Sequence, residues 1–167
     1  MTEPRPAAGF QIRPATEDDL DVIAGFEIDI ARASFGDEAV EDAALHRKRV
    51  AGALGKPGEV TLVAVATGAP AVPVGWAWLS RRTNSLTGAR YGNFRSLATA
   101  DVPGRGQAAE LLMQAVLQAS DQAGFVHLTG KVHATSTAPA RPAGRGWRRS
   151  WSISSTGTPA AAARAPR

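Results

Sequence analysis

The 167-residue chain has no cysteine, a single tyrosine, and no acidic side chain between Arg141 and Arg167. The missing cysteine excludes disulfides, thiolate metal centres and a thiol nucleophile, and it fits a reducing, cytoplasmic setting. No His, Asp or Glu spacing of the metal-binding kind stands out either, so no metal is expected. The opening "MTEPRPAAGF" lacks a basic segment followed by an apolar run, so it does not read as a secretory signal. Residues 1–9 are expected as a disordered lead-in. Charge is absent from Val60 to Ser80, a length comparable to the roughly 20 apolar residues of a membrane helix. Gly68, Pro70, Pro73 and Gly75 interrupt that stretch, however, and the flanking "VTLVAVAT" and "VGWAWLS" read as two strands of a buried hairpin. No membrane partner is expected.

The length suits one domain. The net charge of +4 is uneven, because residues 141–167 hold six arginines and no acid, whereas residues 1–140 sum to −2. The tail is rich in Arg, Ala, Pro, Ser and Gly without an apolar stripe, a composition expected to be disordered. A folded unit is expected over residues 10–140.

Within that unit, "FQIRPA" (10–15) reads as a first strand ended by Pro14. Thr16 and Asp19 offer a capping box, and Leu20, Ile23, Ala24, Glu27, Ile30 and Ala31 form a helical stripe to about Ser34. Glu27 is the one acid on that stripe. A second helix is expected from Val40 to Leu54, with His46 on its solvated basic face. Strands follow at about Val60–Thr67, Val74–Ser80 and Tyr91–Ala100, a run that predicts an antiparallel meander. Ala108, Leu111, Leu112, Ala115 and Ala119 then mark a helix stopped at Gly124. Phe125–Ala134 alternates, with Val126, Leu128 and Val132 on one face and His127 and His133 on the other. A strand, helix, strand unit implies parallel flanking strands, so the expected class is α+β with helices on both faces of a mixed sheet.

The connection "DVPGRG" joins a strand to a helix. A glycine-containing loop there aims unpaired N–H groups at one point, and the helix dipole adds positive potential. Gly104 and Gly106 give an anion room, and Arg105 adds a mobile charge. A plain strand-to-helix turn accounts for the same glycines equally well.

The order of elements together with "FRSLATADVPGRGQAAELL" resembles the GNAT superfamily of acetyl-CoA-dependent N-acetyltransferases, whose signature is Arg/Gln-x-x-Gly-x-Gly/Ala. The pattern falls on Pro103, Gly104, Arg105, Gly106, Gln107 and Ala108; the final Gly-x-Ala matches, while Pro103 replaces the leading Arg or Gln and brings neither a cationic side chain nor an N–H. The resemblance implies acetyl-CoA as co-substrate. Its pyrophosphate would lie at Gly104, Arg105, Gly106, Gln107 and Ala108, its pantetheine arm along Leu97, Ala98 and Thr99, and its thioester near Ser136. It further implies an acceptor amine on a small molecule or amino-acid-like compound. An aliphatic amine of pKa about 10.4 must lose a proton before attack, and the acetyl carbonyl needs a fixed donor such as the Thr99 or Ala98 amide.

Three parts of the family's machinery have no counterpart. Tyr91–Ala100 holds no carboxylate, which leaves Glu27 as the candidate base against a plain ion-paired or partly exposed glutamate, and Arg95 as a candidate for an anionic substrate group against a solvent-facing strand residue. The usual general-acid tyrosine is missing, since Tyr91 lies far from its place, and the tail offers no sixth or seventh strand. One hypothesis for the tail is a shifted reading frame: with TCN serine codons the second base becomes T, and Trp147 to Thr158 can read "LEEVLVDLFHRD", an amphipathic strand. Trp76 and Trp78 are expected in the core.

The readings rank as an N-acetyltransferase first, then a catalytically impaired CoA-binding remnant or ligand-binding module, and last a nucleic-acid binder acting through the tail arginines without sequence preference.

Overall fold

The computed structural model describes residues 9–130. Calls on His133 and Ser136, and on the tail, lie outside the described residues. Five strands form one sheet in chain order: β1 (Phe10–Pro14), β2 (Glu59–Ala66), β3 (Ala69–Thr83), β4 (Arg90–Thr99) and β5 (Leu128–Gly130). The first four pair antiparallel and β5 runs parallel to β4, which is the meander and crossover that the sequence periodicity predicts. Among the described residues no helix is long and apolar enough to cross a membrane. The uncharged stretch from Val60 to Ser80 is the β2–β3 hairpin.

Period-two alternation gives the sheet two apolar faces, and each is covered. On one, α1 (Leu20–Phe35) and α2 (Ala43–Ala51) set Leu20, Ile23, Phe26 and Val50 against Val63, Val65, Trp76 and Trp78. On the other, α3 (Arg105–Gln122) sets Ala108, Leu112 and Val116 against Ala64, Ala77, Leu79 and Leu128. The stripe of α3 is centred on Ala108, Leu112, Val116 and Ser120, with Leu111, Ala115 and Ala119 only half-buried; the expected face is rotated by about one residue. Gly75 and Gly92 are the residues that let the sheet close onto this layer. A Cβ at Gly75 would lie 2.8 Å from Leu112, and one at Gly92 would lie 2.5 Å from Leu128.

Chain entry into α1 is fixed electrostatically. Asp19 is buried and takes two hydrogen bonds from the Arg13 guanidinium, at 2.7 and 2.8 Å, and one from the Thr16 amide at 2.8 Å. Burial alone pushes the Asp19 carboxyl upward. The Arg13 and Thr16 hydrogen bonds outweigh it and hold the group below its usual range.

Three expectations need correction. α2 is shorter than Val40–Leu54, because Asp42 accepts from the Ala44 and Leu45 amides and so caps the helix at Ala43. His46 is buried rather than on a solvated face: its Nε2 lies 2.7 Å from the Val40 carbonyl, and Nδ1 has no partner. The polar composition of α2 hid this, since a nine-residue helix buries only His46 and Val50. Val126 is exposed, because β5 begins at Leu128, not Phe125.

Candidate functional site

The end of the sheet where β4 runs into α3 carries two sets of unsatisfied backbone groups. The first is at the opening of α3. Gly104 caps the helix with φ of +81°, a conformation that favours glycine, and a Cβ there would sit 3.0 Å from the Phe10 ring. Gly106 is different: its φ is not positive, and a Cβ would meet nothing within 4 Å. The glycines therefore divide the work, one making the turn and the other leaving space in front of the helix. The Arg105 amide donates to Val102 and the Ala108 amide to Gly104. Among the described residues the Gly106 and Gln107 amides have no such acceptor. They face outward at the positive end of the 18-residue α3.

Ala108 belongs to the packed layer: it is fully buried in the α3 core and its amide is engaged, so its small size serves the fit of helix to sheet. Arg105 lies 3.4 Å from Asp101 in an exposed ion pair. Such a pair contributes little and leaves the guanidinium free to turn toward a ligand.

The second set is the outer edge of β4. β5 pairs with β4 only at Gly92, Asn93 and Phe94, so Arg95–Thr99 has no partner on that side among the described residues. A β-bulge, one that periodicity does not reveal, controls what this edge presents. Trp78 pairs with Ser96 and Leu79 with Phe94, leaving Arg95 as the extra residue. Before the bulge the Gly92 amide points toward the β5 side, where it donates to His127; after it the Ala100 amide points the other way, to Val74 on β3. Alternation then turns Ala98 toward β3 and the Leu97 and Thr99 amides toward the open edge. Of the segment Leu97–Thr99, two residues thus offer backbone groups outward.

Side chains over this strand come from the α1/α2 face. Glu27 is buried, and Oε1 accepts a 2.8 Å hydrogen bond from Trp76 Nε1. Trp76 pairs with Ala98 across β3 and β4, so the indole holds the carboxylate over the face of the sheet that Ala98 shares. Glu27 is neither exposed nor ion-paired. Sequence reasoning missed a second such pair: Glu59 Oε2 accepts from Trp78 Nε1 at 2.7 Å and from Ser80 Oγ at 2.6 Å. The signal was present in the spacing, since Trp76, Trp78 and Ser80 share one face of β3. Both tryptophans are core residues, as expected, yet each also fixes a glutamate.

Arg95 lies across Trp78, with its guanidinium carbon 4.2 Å from the ring centroid. Burial lowers its pKa, and the nearby Arg49 and Arg82 add to the effect. Farther along the same face, Tyr91 stacks on His127 with centroids 5.0 Å apart, at the wall of a cavity of about 480 Å³. No group of His, Cys, Asp and Glu able to hold a metal occurs among the described residues.

The fold is that of acetyltransferases. The chain superposes on a probable acetyltransferase with a TM-score of 0.62 and 20% identity over 77% of this chain and 82% of that one. A possible acetyltransferase from Clostridium difficile 630 gives a TM-score of 0.62 and 18% identity over 76% and 82% of the two chains. An aminoglycoside acetyltransferase from an uncultured soil metagenomic sample, in complex with sisomicin, gives 0.52 and 18% over 74% and 77%. No family model matches the chain. No curated protein matches it either. The expected GNAT-type architecture, a mixed sheet with helices on both faces, is therefore the one this chain adopts.

Proposed function

We propose that this chain, built on the acetyltransferase fold, is an N-acetyltransferase that moves an acetyl group from acetyl-CoA to the amine of a small molecule. One observation carries the reading: among the described residues the Gly106 and Gln107 amides have no acceptor, a Cβ at Gly106 would meet nothing within 4 Å, and Arg95–Thr99 of the preceding strand has no partner on its outer edge. Those residues suit a phosphate followed by an amide-bearing arm. Gly106, Gln107 and Arg105 would hold the pyrophosphate, with Gly104 setting the turn, and the outward groups of Leu97 and Thr99 would pair with pantetheine. Bound there, acetyl-CoA supplies an acetyl thioester.

The protein's own residues would supply the carbonyl donor and the proton acceptor. As the amine nitrogen bonds to the acetyl carbon the C–S bond breaks, and the departing CoA thiolate takes its proton from water or from the protonated base. The Thr99 amide, outward on the open edge, is the donor for the acetyl carbonyl; Ala98, turned to β3, contributes its side chain to the floor. Glu27, fixed by Trp76 at the neighbouring position, accepts the proton of the acceptor amine, directly or through one water. Holding both substrates at one strand edge removes much of the entropic cost of their meeting.

Calorimetric titration with acetyl-CoA tests the binding step. Wild-type protein is expected to bind, and Gly106→Glu, which sets a carboxylate against the pyrophosphate, to lose at least about tenfold in affinity. Thiol release with an amine panel tests transfer. Binding without release with any amine would favour the second reading, a CoA-binding protein of impaired activity, which the lack of a carboxylate on β4 favours. Absence of binding would defeat both.

A further inference from the structure

Three arginines converge on the Trp78 side of the sheet without a partner. Arg95 lies over the Trp78 ring at 4.2 Å and Arg49, from α2, approaches the same ring at 6.0 Å. Arg82 follows Trp78 and Ser80 on the same face of β3. Among the described residues, none of the three donates a hydrogen bond or joins an ion pair. The two carboxylates nearby attract Arg95 through space but make no ion pair with it: Glu27 accepts from Trp76, and Glu59 from Trp78 and Ser80. Each guanidinium keeps about five N–H donors in a planar fork suited to a carboxylate or phosphate. Three cations beside two carboxylates leave net positive charge on this face; burial first, then Arg49 and Arg82, push the pKa of Arg95 down against the pull of Glu59 and Glu27.

The cavity that adjoins this cluster is lined by polar side chains. Arg82 pairs across the strands with Tyr91, which lines the cavity together with Thr83, Asn84, Asn93, His127 and Thr129. No carboxylate lines that space, so it has nothing to hold a polycationic amine. We propose that the acceptor is an amine that also carries an anionic group, and that Arg95, assisted by Arg49 and Arg82, binds this group. The inference rests on the acetyl-transfer reading and names its substrate class. The bulge is the structural device: the extra residue at position 95 brings a cationic side chain onto the Trp78 face while Leu97 and Thr99 keep their backbone on the open edge.

The test compares amines differing only in the anion, using the full chain. β-Alanine against its amide and phosphoethanolamine against ethanolamine are assayed by thiol release from acetyl-CoA. In parallel, N-acetyl-β-alanine against its amide is titrated directly, with no turnover required. The anionic member of each pair is expected to be favoured about tenfold or more in kcat/KM. Arg95→Gln should bring that ratio toward one, and Arg95→Lys should restore part of it. Equal use of charged and neutral members overturns the inference while leaving acetyl transfer standing, and so does a preference untouched by Arg95→Gln. Selective, Arg95-dependent binding of N-acetyl-β-alanine without any thiol release supports the anion site and defeats the transfer reading instead. No discrimination in either assay overturns the anion site.

Discussion

Glu27 and Asp19 are both carboxylates on the first helical segment, both buried, and they are held by different chemistry. Asp19 is paired with a guanidinium; Glu27 meets a neutral indole N–H, which orients it without neutralising its charge. That difference suits Glu27 to accept a proton and Asp19 to hold structure. Glu27→Gln keeps an oxygen for Trp76 and removes the proton acceptor, so kcat is expected to fall about 100-fold or more with the melting temperature nearly unchanged. A matched loss of stability with rates intact would reduce Glu27 to a core residue. Asp19→Asn should behave in the opposite manner, costing on the order of 2 kcal/mol because the buried face of Arg13 loses its counter-charge. The sign with pH follows from the lowered Asp19 pKa. The unfolded carboxyl titrates near 3.9, so the stabilisation is fully present above about pH 5 and disappears as the folded group protonates at lower pH. Denaturant midpoints for wild type and Asp19→Asn should therefore differ at neutral pH and converge in acid.

The loop between β4 and α3 separates conformation from access at two glycines. Gly104→Ala places a side chain at φ of +81° and against Phe10, and is expected to destabilise by about 1–2 kcal/mol. Gly106→Ala meets open space at an ordinary φ, so the thermal midpoint should hold or rise while acetyl-CoA affinity falls. Thermal melts of both variants with and without acetyl-CoA check the division; equal destabilisation by the two would contradict it. Elements of this size were legible in the sequence wherever a strong period met a hard stop. β1 ends at Pro14, and α3 opens directly after Gly104. The details that make the site were less legible, for reasons specific to each. Arg95 is solvent-exposed, as one of the two expectations for it had it; a bulge adds a residue without changing composition, so what the sequence did not reveal is its place across the Trp78 ring. His46 sits among charged neighbours, and neither its burial nor its hydrogen-bond distance to the Val40 carbonyl just ahead of α2 is signalled by that composition. Asp42 caps α2, but Glu41 beside it and the absence of a clear stripe blurred the start. The turn into α3 at Gly104 and the open space at Gly106 were readable because glycine placement reports backbone geometry directly.

Across the whole molecule, the described sheet ends on β5, whose outer edge has no partner among the described residues. An exposed edge of this kind is costly to leave open, and the chain that follows has little with which to cover it. Residues 141–167 carry six arginines and no acid, with four serines and two tryptophans between Trp147 and Ser155. We propose that this stretch is read out of frame, and codon choice is the direct check. Ser150, Ser152, Ser154 and Ser155 are expected to be encoded by TCN, Arg148 by AGG and Arg149 by AGR, because those codons, when shifted, give apolar residues at the four serine positions and glutamate at the two arginine positions. Serines drawn from the AGY set would end the proposal. A protein carrying the reframed segment "LEEVLVDLFHRD" in place of residues 147–158 is expected to melt several degrees higher, since each added kilocalorie per mole shifts the midpoint by about 2–4 °C at this size. An unchanged or lower midpoint would show that the reframed strand finds no place on the sheet, whatever the codons say.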